Sequence, residues 1–407
     1  MLRILDQAEA ALFLNRASRR LDDALEIVKP IVQDVRDRGD AAVREYAEKL
    51  DGFTRESFIV ESCGELDPAL LEAVTIAAIN IRDFAQQQLV KPWQTTTSDG
   101  RTLGQLVRPL DSVGVYVPAG RYPLLSTMLM TVIPAQVAGV HEIVVVCAKP
   151  TPEMLAMAKW LGITSILKLG GAQAIAALAY GTESISKVQR IVGPGNAYVA
   201  AAKKLVSGDV GIDFVAGPSE IVIVANSGNP QWVALDMLAQ CEHDVDARAL
   251  LLTTSAAFAT QVQHEVAAQL ATLPTADVAA KSIEKNSAII VCADEVEIID
   301  LVNEIAPEHL SLPNNLLIDQ IRNAGSIFIG PFSTEAAGDY ASGPNHVLPT
   351  SGVAALRGGL SVNDFVKVIT TQSLSEDALR QLTPAVTQLA RAEGLEAHAR
   401  SVEVRQR

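Results

Sequence analysis

From residue 113 the chain alternates short β-rich runs with helical segments, and the alternation restarts at residue 219. The first series is "VGVYVPA", "EIVVVCA", "SILKLG" and "KVQRIVG", separated by "STMLMTVIPAQVAG", "TPEMLAMAKWLG" and "AQAIAALAYG" and followed by "NAYVAAAKKLVSG". The second is "SEIVIVANS", "ALLLTTS", "SAIIVCA" and "SIFIG", again with helices between. Strands joined through helices run parallel, and a parallel sheet needs helices on its faces. The pattern predicts an α/β fold with two doubly wound parallel-sheet, incomplete Rossmann-like units. No internal repeat is clear enough to mark a duplication.

The flanks read differently. Residues 22–90 show 3.6-period apolar spacing after Asp caps, hence helices. "KPWQTTTSDGRTLGQLVRPLD" reads as a loop, and the tail from 361 as helices too short to be stable alone. The expected division is an N-terminal helical arm (1–21), a first α/β domain (22–112 with 220–360), a second (113–219) and a C-terminal helical tail (361–407). That tail must pack on the main body or on another subunit.

With 407 residues, 49% of them hydrophobic, the chain has ample material for more than one core. A formal charge of -14 with no Lys/Arg block argues against a nucleic-acid partner. No run approaches the roughly 18 apolar residues of a membrane span. The opening segment carries acids within its apolar part, unlike a signal peptide, so the expected location is cytoplasmic. Cys63, Cys147, Cys241 and Cys292 are scattered and read as reduced thiols.

In open α/β sheets, ligands gather at the carboxyl ends of strands, and several polar clusters fall in such places. In "LAQCEHD", Gln240 and His243 stand three apart on a predicted helix and share a face. Cys241 turns about 100° away. Spacing alone leaves the pair open between metal ligands and a helix-end histidine near solvent. In "EIAPEHLSL", Glu308 adjoins His309 just after the helix-breaking Pro307. Those two are an acid–base pair or an exposed charged turn. "EAAGDYASGPNHVLP" reads as a long irregular loop with Asp339, Asn345 and His346, functional or merely connecting. In "ARAEGLEAHARSV", Glu393 and His398 fall roughly 140° apart round an ideal helix unless Gly394 breaks it; a plain surface helix is the alternative. "GPGNAYVAAAKKL" follows a strand and opens a helix, as phosphate-cradling turns do. It fails G-x-G-x-x-G because Tyr198 stands at the third Gly, so nucleotide binding stays open by motif.

Taken in order, these pieces resemble the histidinol dehydrogenase family. The matching stretches are "VGVYVPAGRYPLLSTMLMTVIPAQVAGV", "LKLGGAQAIAALAYGTESISKVQRIVGPGN", "AGPSEIVIVA", "LAQCEHD", "APEHL", "NAGSIFIGPFSTEAAGDYASGPNHVLPTSG" and "EGLEAHARSV", and they cover most of residues 30–400. The resemblance implies oxidation of L-histidinol through histidinal to L-histidine with two NAD+. It implies one zinc per subunit on Gln240, His243, Asp339 and His398. Glu308 and His309 match the acid–base pair. Ser219 and Glu393 match substrate contacts, joined by Gln240, His243, His309, Asp339 and His398. Tyr116, Gln173 and Asn196 match contacts to NAD. The first domain would carry zinc and the acid–base pair, and the second would bind NAD. The resemblance further implies a homodimer of intertwined chains, with Glu393 and His398 supplied in trans.

One stretch departs from the family pattern. Ala119-Gly120-Arg121-Tyr122 stands where many members read Gly-Gly-Thr-Ala. Related dehydrogenases of other small polar alcohols, a sulfonated propanediol among them, share the fold and similar Arg-Tyr-Pro loops. Ser219, Glu393 and the full ligand set favour a substrate bearing an amine and an imidazole.

Overall fold

The computed structural model describes residues 2–14, 19–54, 57–118 and 122–406. The chain opens with β1 (Arg3–Leu5), α1 (Gln7–Leu14), α2 (Arg19–Arg38), α3 (Asp40–Tyr46), β2 (Ile59–Glu61), α4 (Pro68–Gln88) and the hairpin β3 (Trp93–Thr96) and β4 (Arg101–Pro109). Next come β5 (Ser112–Tyr116), α5 (Leu125–Ala138), β6 (Glu142–Val146), α6 (Pro152–Trp160), β7 (Ser165–Leu167), α7 (Gly171–Tyr180), β8 (Arg190–Val192), α8 (Ala197–Val206) and β9 (Gly211–Ile212). The second run holds β10 (Glu220–Val224), α9 (Pro230–Cys241), β11 (Arg248–Thr253), α10 (Ala256–Leu270), α11 (Ala276–Asn286), β12 (Ala288–Val291), α12 (Glu295–Ile305), β13 (His309–Leu312) and β14 (Ser326–Ile329). It is followed by α13 (Glu335–Tyr340), β15 (Val366–Leu374), α14 (Glu376–Ala392) and α15 (Glu396–Glu403).

The expected α/β architecture is present. One sheet runs β2-β7-β6-β5-β8-β9, parallel except for the edge strand β2; the other runs β1-β12-β11-β10-β13-β14 and is parallel throughout. The central strands β5 and β10 are buried at every residue. Covered on both faces, they read as unbroken apolar runs rather than alternation. Asn229 caps α9, with Pro230 in the first turn, and Asn196 caps α8; each side-chain oxygen accepts first-turn N–H groups.

Several details differ from the sequence expectation. Residues 22–90 do not group with 220–360: α2 packs on α7 and α8, α4 packs on α5, and β2 joins the first sheet. The cause is the apolar stripe Ala24, Val28, Val32 and Val35, which shares a core with Ile175 and Leu178. The N-terminal arm is not purely helical, since β1 extends the second sheet against β12. The supposed loop at 91–111 is the β3–β4 hairpin, and β15 in the supposed helical tail pairs with β4 along nine residues. His309 opens a strand rather than a helix-end turn. Ala119, Gly120 and Arg121, the departure from the family pattern, lie outside the described residues; the neighbouring Tyr122 is exposed.

Candidate active site

Three elements of the second sheet converge: the start of β13, the end of α9 and the short helix α13. Helix α12 stops at Ala306, whose φ of 48 gives the left-handed C-cap, and Pro307 prevents its continuation. The chain then enters β13 with Glu308 and His309 side by side, both buried. The neighbouring strand fixes both. Glu220 N donates to Glu308 Oε2 at 2.8 Å. His309 Nδ1 lies 3.1 Å from Glu220 O. A carbonyl can only accept, so Nδ1 carries the proton and Nε2 is the basic nitrogen. Glu220 is itself clamped by Arg248 at 2.5 Å and by Ser351 N at 2.9 Å.

His309 Nε2 is buried without a hydrogen-bond partner and faces Asp339 Oδ1 at 3.7 Å. Asp339 Oδ2 lies 3.7 Å from His243 Nε2. His243 sits just beyond α9, its Nδ1 3.0 Å from Ala239 O, so its Nε2 is free toward Asp339. One turn back, Gln240 is fully buried, with neither amide atom partnered. Leaving both ends of a buried amide unsatisfied is costly. Glu335, one turn before Asp339 on α13, is buried with both oxygens unpartnered and Oε1 3.5 Å from His309 Nδ1.

The pocket has an excess of acid. Burial pushes Glu308 well above the usual carboxylate range. It does the same to Glu335, helped by repulsion from Asp339, Glu308 and Asp236. Asp236, on α9, is pushed up to about 6 by burial. The His309 imidazole is pushed down to about 4, chiefly by burial, so it is neutral and able to accept a proton at pH 7. Ligand atoms of His309, Glu335 and Asp339 lie within 4.8 Å of one another. Imidazole, carboxylate and an unpaired amide oxygen around buried negative charge are a donor set that fits a cation such as zinc.

The expected residues divide into three places. Gln240 on α9, His243 just beyond it, Asp339 on α13, Glu308, His309 and Ser219 belong to this pocket. Glu393 and His398 do not join it within one chain. Both are exposed on the tail, and among the described residues no hydrogen bond or ion pair ties them to the pocket. Gly394, with φ of 76, separates α14 from α15 and so breaks the helix between them. Tyr116, Gln173 and Asn196 lie at the carboxyl-end side of the first sheet. Tyr116 OH accepts from Gly171 N at 3.2 Å, and burial pushes its hydroxyl up to about 12. Gln173 is fully buried and donates to Asp51 at 3.0 Å. Asn196 uses its Oδ1 to cap α8, which leaves only its amide N–H groups for a ligand.

Two members, Glu335 and Asp51, were not singled out by sequence. Glu335 stands four residues before Asp339, a same-face spacing that shows only once α13 is recognised as a helix. Asp51 reaches Gly170 N and Gln173 from the N-terminal segment, and no local signal marks it. His346 donates from Nδ1 to Asp339 O at 2.7 Å and holds that helix end in place. Cys241, beside the ligand face, points away to Ser287 Oγ at 3.4 Å, and burial pushes its thiol up.

The sequence model of the family described as histidinol dehydrogenase matches residues 14–406. The histidinol dehydrogenase of Geobacillus kaustophilus is 49% identical over 394 residues, 93% of each chain. That of Methanothermobacter thermautotrophicus is 45% identical over 404 residues, 95% of each. The crystal structure of the Elizabethkingia anophelis histidinol dehydrogenase superposes with a TM-score of 0.93 at 36% identity, covering 99% of this chain and 98% of that one. An acetylating aldehyde dehydrogenase from Geobacillus thermoglucosidasius, at TM-score 0.52 and 11% identity, shares the fold alone. With the family match spanning nearly its whole length, the chain belongs to the histidinol dehydrogenase family.

Proposed function

We propose that the chain oxidises L-histidinol through L-histidinal to L-histidine with two NAD+, the last two steps of histidine biosynthesis. The observation that carries this is His309: its Nδ1 is tied to Glu220 O, and its basic Nε2 is buried, unpartnered and turned to Asp339. His309 Nε2 takes the hydroxyl proton as hydride leaves the carbinol carbon. Glu308 takes a proton from the water that adds to the aldehyde, and His309 then accepts the proton of the resulting diol as the second hydride leaves. Two neighbouring groups with oppositely shifted pKa values suit two successive proton transfers.

Gln240, His243 and Asp339 would hold zinc, completed by His398 of the partner subunit. Two donor sets share Asp339, but using His309 as a ligand would block the nitrogen needed as base, and would leave the Gln240 amide orphaned. Bound there, zinc would anchor the substrate's imidazole and amino nitrogens and keep the aldehyde from escaping between steps. Ser219 and the partner subunit's Glu393 would contact the substrate. NAD+ would bind at Tyr116, Gln173 and Asn196 and supply the hydride acceptor. Zinc-loaded protein should form NADH from L-histidinol, lose that activity to a chelator and regain it with zinc. Turnover of other amino alcohols or sulfonated diols with none of L-histidinol would refute the substrate.

The tail supports a homodimer. β15 is exposed along nearly its whole length, including Val368, Ile369 and Leu374, and Leu389 and Leu395 on the tail are exposed too. Burying that apolar surface against a second chain would be favourable, which supports this reading. Co-refolding a His398→Ala chain with a His309→Asn chain should restore about a quarter of wild-type activity if half the dimers are mixed and each then has one intact site. No recovery would place each site within one chain. The expected place is the cytoplasm; no described helix is long and apolar enough to cross a membrane.

A further inference from the structure

A buried ion pair that the chemistry above does not use grips one glycine. Lys203 on α8 and Asp213 just beyond β9 have side-chain exposures of 3% and 1%, and Lys203 Nζ lies 2.5 Å from Asp213 Oδ1. Lys203 Nζ also donates to Gly193 O at 2.6 Å, while Gly193 N donates to Asp213 Oδ2 at 2.8 Å. Both backbone polar groups of Gly193 are thus taken by the two halves of one ion pair. Phe214 N completes the Asp213 carboxylate at 2.7 Å.

The position of that glycine gives the clamp its meaning. Gly193 has φ of 109, and a Cβ there would come within 2.2 Å of Tyr116 O, so the turn is pressed against the end of β5. Three residues on, Asn196 caps α8. The clamp therefore fixes the backbone between Tyr116 and Asn196, two of the expected NAD contacts. Asp213 also begins the stretch that crosses to Ser219 and Glu220 beside Glu308, and its carbonyl accepts from Arg357.

A buried ion pair is a poor source of net stability, because desolvation offsets most of its attraction and apolar replacements are often neutral or better. A pair that satisfies a strained backbone turn has a different use, since it holds that turn ready before a ligand arrives. We propose that Lys203 and Asp213 are positioning residues for the dinucleotide, holding the turn from Gly193 to Asn196 in its receiving conformation. The proposal rests on the assignment of Tyr116 and Asn196 to NAD.

The test compares full-length, zinc-loaded wild type with Lys203→Met, Lys203→Met/Asp213→Leu and Asn196→Ala. The single Lys203→Met change strands a buried carboxylate and should lower the melting temperature; the double variant should regain part of the loss, because the charge is gone while Gly193 N and O stay unpartnered. If the pair positions the turn, the double variant still binds NAD+ about tenfold more weakly by calorimetry, with a raised KM for NAD+ and an unchanged KM for L-histidinol. A double variant that folds and binds NAD+ with wild-type affinity overturns the proposal. Should the double variant not fold, Lys203→Met decides by the same split, and a fall in kcat with the KM for NAD+ unchanged overturns it. Asn196→Ala separates the two ideas. Weak NAD+ binding there with normal binding in the double variant keeps the assignment and removes the clamp; the reverse keeps the clamp and removes Asn196.

Discussion

Replacing His309 by Asn should lower kcat of both oxidations by about a hundredfold to ten-thousandfold, the usual worth of a positioned general base. Asn retains an amide N–H that can donate to Glu220 O, where His309 Nδ1 now sits at 3.1 Å, so the strand pairing of β13 has no reason to change. What disappears is the basic nitrogen facing Asp339. Zinc content and NAD+ affinity should therefore stay at wild-type values while both half-reactions slow. Assays started separately from L-histidinol and from L-histidinal measure this. Loss of only one half-reaction would show that His309 does not serve both.

Glu308→Gln should divide the two steps. Gln keeps the shape and an oxygen that can accept from Glu220 N, the 2.8 Å contact that orients Glu308. It cannot take a proton from water. Oxidation of histidinal should fall by about a hundredfold or more, while the alcohol step changes only a few-fold. A rapid mix with L-histidinol should then give one NADH per site quickly and a second slowly. If alcohol oxidation stopped and aldehyde oxidation survived, the roles assigned to the two neighbours would be exchanged.

The alternating runs of strand and helix were legible because buried parallel strands are unbroken apolar segments, as in "SVGVY" and "EIVIV". β13 was missed because four residues after Pro307 are too few to show a period; its place between β10 and β14 is decided by the sheet. The three-stranded sheet β15-β4-β3 was missed for a related reason. β4 is stabilised by β15, far away in the chain, and strand preference is largely set by such cross-strand neighbours. At the site, the i, i+3 spacing joined Gln240 to His243, and adjacency joined Glu308 to His309. Nothing local joins either pair to Asp339. The resemblance supplied that link, and the 3.7 Å approaches of His243 and His309 to Asp339 support it. Asp51, Lys203 and Asp213 act through backbone groups of distant turns, which residue types alone do not disclose.

In the proposed function one pocket runs two consecutive oxidations without releasing the aldehyde. This is tested most directly by supplying limiting L-histidinol to zinc-loaded protein with excess NAD+ and measuring NADH and products at completion and at early times. Two NADH and one L-histidine should form per L-histidinol, with no free histidinal at any time. One NADH per L-histidinol, with histidinal accumulating in solution, would contradict it.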